Sequence, residues 1–143
     1  MELQELFERL LEQKLLEKEE SILRKSEIEE ISKRYQKRAP LHLKEWDICW
    51  AAVGFEDDLD KYKIRPVIIL DCGNYNSIKF LKCSSVPKSD KYKIKNYLTL
   101  GLEKTPYVNY KKVYSLDSKY IFEKLNKPLD REDIKNLSKL LIY

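Results

Sequence analysis

The spacing of apolar residues changes at Pro40, and that change limits what the chain can fold into. Before it, Leu3, Leu6, Leu10, Leu11 and Leu15 recur every three or four residues, with Glu and Lys between them. Such a stripe predicts an amphipathic helix over residues 2–37, uninterrupted by Gly or Pro. Ser26-Glu27-Ile28-Glu29 has the form of a capping box, so the helix is expected to break and restart there. The second piece carries Ile28, Ile31 and Tyr35 on one face. Ala39-Pro40 ends it, because proline biases its predecessor away from helix. After Pro40 the apolar residues come in short runs of strand character. The chain therefore divides into a helical extension, 1–40, and a mainly β domain, 44–143.

Within that domain, Trp46 to Val53 reads as a strand ending at Gly54. Phe55 to Lys63 is a loop rich in acids. Pro66-Val67-Ile68-Ile69-Leu70 is apolar without alternation, as in a strand buried on both faces. Asp71-Cys72-Gly73-Asn74 is turn chemistry. Ser77 to Ser85 alternates as a third strand, with Ile78, Phe80 and Lys82 on one face. Tyr92-Lys93-Ile94 reads as a short strand, Asn96 to Leu102 as a bent segment closed by Gly101. Tyr107 to Tyr114 holds one strand or two, and Lys119 to Leu125 one more. Asp130 is placed to cap a last helix, whose apolar face is Ile134, Leu137, Leu140 and Leu141. Short strands closed by one helix predict a small open barrel or SH3-like sheet of α+β class.

Composition narrows the chemistry. There is one histidine, His42, so a paired-histidine ribonuclease or a histidine-rich zinc site is excluded by count. Cys49, Cys72 and Cys83 have no metal spacing and read as small hydrophobes. No metal or cofactor is expected. No apolar run approaches the ~20 residues of a membrane span, and the first residues are not a secretory leader, so the chain reads as cytoplasmic. The net charge of +4 is unevenly placed. Residues 1–38 hold nine Lys/Arg and ten Asp/Glu, so the excess lies beyond them. Lys79, Lys82, Lys88, Lys91, Lys93 and Lys95 face one acid, Asp90. A polyanionic partner and a merely solvating lysine surface explain that excess equally well.

Lys63-Ile64-Arg65-Pro66 is the stretch where chemistry is expected. Pro66 lacks an amide proton and suits only a strand start or an edge, which pins Arg65 where loop meets core. A guanidinium offers five donors in a fixed fork, matched to a phosphate. Taken alone, Arg65 would more simply pair with Asp57, Asp58 or Asp60. Ser84 and Ser85 end the third strand, and their hydroxyls fall near Arg65 if the second and third strands pair. Taken alone, they are a strand-ending turn.

Together these landmarks resemble the MazF/PemK family of toxin endoribonucleases. The likeness runs over Asp47-Ile48, an acidic loop, Lys63 through Leu70, and Ser84-Ser85 where the family has Thr-Ser. It continues through Gly101-Leu102-Glu103-Lys104-Thr105-Pro106-Tyr107-Val108 and Leu129-Asp130-Arg131-Glu132-Asp133-Ile134. Trp46 replaces the glycine often found before the Asp-Ile pair, and residues 1–40 lie outside the typical family. The resemblance implies a CcdB/MazF-like barrel, a homodimer, and an antitoxin partner. It implies metal-independent cleavage of single-stranded RNA by the ribose 2′-hydroxyl, leaving a cyclic phosphate and a 5′-hydroxyl. Arg65 and Ser84, with Ser85, would be catalytic; Asp57 or Asp60 would orient Arg65. Lys61, Lys63, Lys82, Lys88, Lys91 and Lys93 would contact RNA, with Tyr62, Tyr92 and Tyr107 as candidate base stackers. A non-catalytic module binding RNA or protein on the same barrel is the alternative. The helix of residues 1–40, lying outside the family pattern, would be an inhibitory or dimerising element or a place for another protein to dock.

Overall fold

A computed structural model describes residues 22–37, 41–95, 97, 100, 102 and 105–141. Strand β1 (Leu23–Arg24) leads into helix α1 (Lys25–Tyr35). Strands β2 (Ile48–Gly54), β3 (Lys61–Asp71), β4 (Ile78–Ser84), β5 (Tyr92–Lys93), β6 (Tyr107–Val108), β7 (Tyr114–Leu116) and β8 (Ile121–Lys124) follow. Helix α2 (Arg131–Leu141) closes the chain's described part. The strands form one antiparallel sheet in the order β5-β6-β4-β3-β2-β8. On its flanks, β1 pairs β3 and β7 pairs β4. The fold is thus mainly β with a C-terminal helix and one other helix, as expected.

Strand β3 organises the sheet. Val67, Ile68 and Ile69 are each 0% exposed, which confirms burial on both faces. Each such side chain contributes about 1.5–3 kcal/mol relative to full exposure. Alternation sends Ile48, Ala52, Ile64, Ile68, Leu81 and Cys83 to one face, where Trp50 joins two groups of core residues. Helix α2 covers one group through Leu137, and α1 covers the other through Ile28 and Tyr35. The opposite face holds Cys49, Ala51, Val53, Val67, Ile69, Ile78 and Phe80.

Several boundaries differ from expectation. Strand β3 begins at Lys61, not Pro66, so Arg65 is interior to the strand rather than at its head. The stretch before Pro66 is held on both edges: β2 sets Val53 and Gly54 opposite Lys63 and Tyr62, and on the other edge β1 sets Leu23 and Arg24 opposite Tyr62 and Lys61. On that same edge β4 takes over from Val67. Pro66 therefore falls where the edge changes partner, which accommodates its missing N–H. Trp46 is not a strand residue; its φ of 71° is left-handed, the conformation glycine adopts most cheaply.

The helix expected over 2–37 is seen from Lys25; residues 2–21 lie outside the described residues, as do 38–40 and Gly101. Its restart comes earlier than the Ser26 box, with the Glu27 carboxylate accepting the Arg24 N–H at 3.3 Å. Ile28 and Tyr35 are buried in the core and Ile31 packs beside them. Residues 22–37 thus supply a strand and core side chains to the sheet. Asp130 caps α2 as expected, its carboxylate accepting from Glu132 N–H at 3.3 Å. The stretch 107–114 resolves into two strands, β6 and β7. Cys49 and Cys83 are buried thiols pushed up to about 12 by burial, and Cys72 donates to the Leu43 carbonyl. No helix among the described residues is long and apolar enough to cross a membrane.

Candidate phosphate-binding site

Arg65 lies opposite Ala51 on the β2 side, on the face that carries Val67 and Cys49. Across β3 and β4, Val67 faces Lys82, Ile68 faces Leu81 and Ile69 faces Phe80. Continuing that register past Pro66 sets Ser84 alongside Arg65. Strand alternation puts Lys82 and Ser84 on Arg65's face. Further along β4, Phe80 pairs with Tyr114 of β7, and their rings stack with centroids 5.8 Å apart. Three strands thus present Arg65, Lys82, Ser84 and Tyr114 together.

The charges here are not neutralised pairwise. Among the described residues Arg65 enters no ion pair, and its Nε is buried with no hydrogen-bond partner. The salt bridge to Asp57, Asp58 or Asp60 is therefore not formed. Asp58 instead pairs with Lys61 at 3.6 Å, and Asp60 accepts the Lys25 N–H at 3.3 Å. Asp57 is exposed. Burial pushes Arg65 below its ordinary value, partly offset by Cys83 and Tyr114. A buried N–H left unpaired costs about 1–3 kcal/mol. An acceptor reaching this N–H, an anionic ligand among the candidates, would remove that cost.

Lys82 is half-buried, its Nζ 4.6 Å from the centroid of the Tyr114 ring. Burial, then the charge of Arg65, pull it below the ordinary lysine value. Lys91, in the loop before β5, is lowered by burial and then by Lys88 and Arg65. Lys91 therefore sits within electrostatic reach of the same centre, and Lys88 within reach of Lys91. Lys63 shares the strand face of Arg65, and Lys61 begins the strand. Lys93 is exposed on β5 opposite Tyr107.

An acid joins this cluster through Tyr114, and it is neither Asp57 nor Asp60. Glu56, early in the β2–β3 loop, accepts from Tyr114 Oη at 2.7 Å and from Lys112 Nζ at 2.8 Å. Those two bonds hold its carboxyl below the usual range. Burial and the Glu56 bond push Tyr114 up to about 12. Lys112 also lies over the Tyr114 ring, at 4.9 Å. Glu56, Lys112 and Tyr114 were invisible earlier because β7 meets β4 only in three dimensions.

Ser84 Oγ accepts the Val86 N–H at 3.1 Å, the turn contact expected of a strand-ending serine, and retains its own proton to donate. Ser85 lies just past the strand end. Of the candidate stackers, Tyr62 is stacked on Tyr120 and Tyr92 donates to the buried Asp133, so both are engaged within the fold. Tyr107 is half-buried beside Ser84.

No protein-family model and no curated protein matches the chain. Among solved structures, the chain is similar to the MazE–MazF complex from Deinococcus radiodurans. The match has a TM-score of 0.52 at 14% identity, over 69% of this chain and 92% of that one. At that identity the likeness concerns the fold, which is MazF-like.

Proposed function

We propose that the chain is an endoribonuclease toxin that cuts single-stranded RNA sequence-selectively without a metal. The 2′-hydroxyl attacks the adjacent phosphorus, leaving a cyclic phosphate and a 5′-hydroxyl. The observation that carries this reading is Arg65: a guanidinium without a counter-ion among the described residues, on one face with Lys82 and Ser84, in a MazF-like fold. Such a fork meets the extra charge of a phosphorane more strongly than the ground-state phosphate, as transition-state stabilisation requires. The Ser84 hydroxyl would donate to a phosphoryl oxygen. Lys61, Lys63, Lys88, Lys91 and Lys93 would hold flanking phosphates, a contribution that falls as salt rises.

By analogy with the neighbouring structure, a complex of MazE with MazF, we propose an antitoxin partner and a homodimer acting in the cytoplasm. The test is to incubate the protein with a long single-stranded RNA in chelator and map the ends. Discrete cuts with 5′-hydroxyl ends, lost in Arg65→Ala, support the enzyme. RNA binding without cuts supports instead a non-catalytic module.

A further inference from the structure

The reaction above needs a proton for the departing 5′-oxygen, and the groups around Arg65 narrow its source. Arginine does not give up its proton in proteins. Glu56 is ionised and spent on Lys112 and Tyr114, and the Tyr114 hydroxyl is committed to Glu56. Ser84 is an ordinary hydroxyl with no base bonded to it among the described residues. Lys82 remains. Its backbone lies in a strand, two residues from Ser84 on the same face, and its ammonium rests against the Tyr114 ring at 4.6 Å. It forms no ion pair among the described residues.

We propose that Lys82 is the general acid of the cleavage, protonating the 5′-oxygen as it leaves while Arg65 stabilises the phosphorane. This inference rests on the ribonuclease reading. The 2′-oxygen forms its bond to phosphorus as the P–O5′ bond breaks. The 2′-hydroxyl proton passes to water. The electron pair of the broken bond takes a proton from Lys82, which becomes a neutral amine and is reprotonated by solvent. Burial and the neighbouring Arg65 both disfavour the ammonium, which eases that transfer. Tyr114 acts on Lys82 as a positioning residue, its ring face holding the ammonium by cation–π attraction.

The test uses two RNAs identical except at one junction that the wild-type protein cuts. One carries the natural 5′-oxygen, the other a 5′-bridging sulfur, a leaving group that needs no proton. Lys82→Ala and Lys82→Arg should each slow cleavage of the oxygen substrate about 100-fold or more. Lys82→Arg should leave KM near the wild-type value, since the positive charge is kept. Both variants should cut the sulfur substrate at close to the wild-type rate. Arg65→Ala should fail on both. Oxygen-substrate rates close to wild type, or a defect that persists with sulfur, would overturn the proposal. So would sulfur rescue of Lys91→Ala but not of Lys82→Ala. If the wild-type protein cuts no RNA, the ribonuclease reading fails and this inference with it.

Discussion

Arg65 is costly to the fold, so an apolar replacement of similar length should stabilise the protein while removing its activity. In Arg65→Met the unbranched thioether follows the path of the arginine stem against Ala51 and Val67. The buried Nε without a partner disappears, and with it a charge held among Lys82 and Lys91. An unpaired buried N–H is worth about 1–3 kcal/mol. Some of that is given back through imperfect packing of the new side chain, leaving a net gain of about 1–2 kcal/mol. At roughly 2.1 cal/mol/K of unfolding entropy per residue, a chain of this length shifts about 3 °C per kcal/mol. The expected rise in Tm is therefore about 3–6 °C. Differential scanning calorimetry of both proteins in low-phosphate buffer measures it, with RNA cleavage assayed in parallel. A fall in Tm of similar size would show that Arg65 holds the structure together, and the argument from its unpaired guanidinium would fail.

The other predictions concern separate parts of the molecule. Glu56 should titrate with a midpoint below 4.5, read by NMR of its side-chain carboxyl, and return toward that value in Lys112→Ala; an unshifted midpoint would contradict the contact. Since its carboxyl is depressed, the link to Lys112 and Tyr114 is present at neutral pH and is lost only as pH falls through that lowered midpoint. Trp46→Gly should be more stable than Trp46→Ala by about 1 kcal/mol in denaturant titrations, reversing the usual order, because φ is positive there. Asp133→Ala should lower stability by about 1–2 kcal/mol, because Tyr92 Oη and the Lys95 N–H lose their acceptor while the buried, unpartnered Oδ2 is removed. An unchanged melting curve would refute that.

What could be read in the sequence follows from how local each signal is. Burial of Val67, Ile68 and Ile69 is written in three consecutive β-branched residues, and α2 in a cap followed by a helical stripe. Lys61-Tyr62-Lys63 reads as loop because its side chains are charged and polar, and because one of its two strand partners, Leu23-Arg24, lies in a segment that reads as pure helix; the other is the end of β2. Nothing local marks Asp133 as buried: its partner is Tyr92, 41 residues away. The site was legible in part for the same reason. Arg65, Lys82 and Ser84 sit on consecutive strands, so pairing β3 with β4 was enough to gather them. Glu56, Lys112 and Tyr114 join only because β7 reaches β4 across a long connection. The acids favoured earlier, Asp57 and Asp60, are nearer Arg65 in sequence, yet the loop turns Asp60 toward the start of α1.

That same helix start changes what truncation means. Leu23, Ile28 and Tyr35 are core residues packed on Ala52, Ile64 and Phe122. Removing residues 1–38 should therefore expose that face and cost solubility, rather than release an otherwise intact domain. Aggregation and circular dichroism of the shortened chain test this; a soluble, cooperatively melting product would refute it.

The most direct test of the central claim is end-mapping of a long single-stranded RNA incubated with the purified protein in chelator. Discrete cuts that leave a 5′-hydroxyl and a cyclic phosphate, absent with Arg65→Ala, are the expected result. Intact RNA, or cuts that persist at the same sites in that variant, would contradict it.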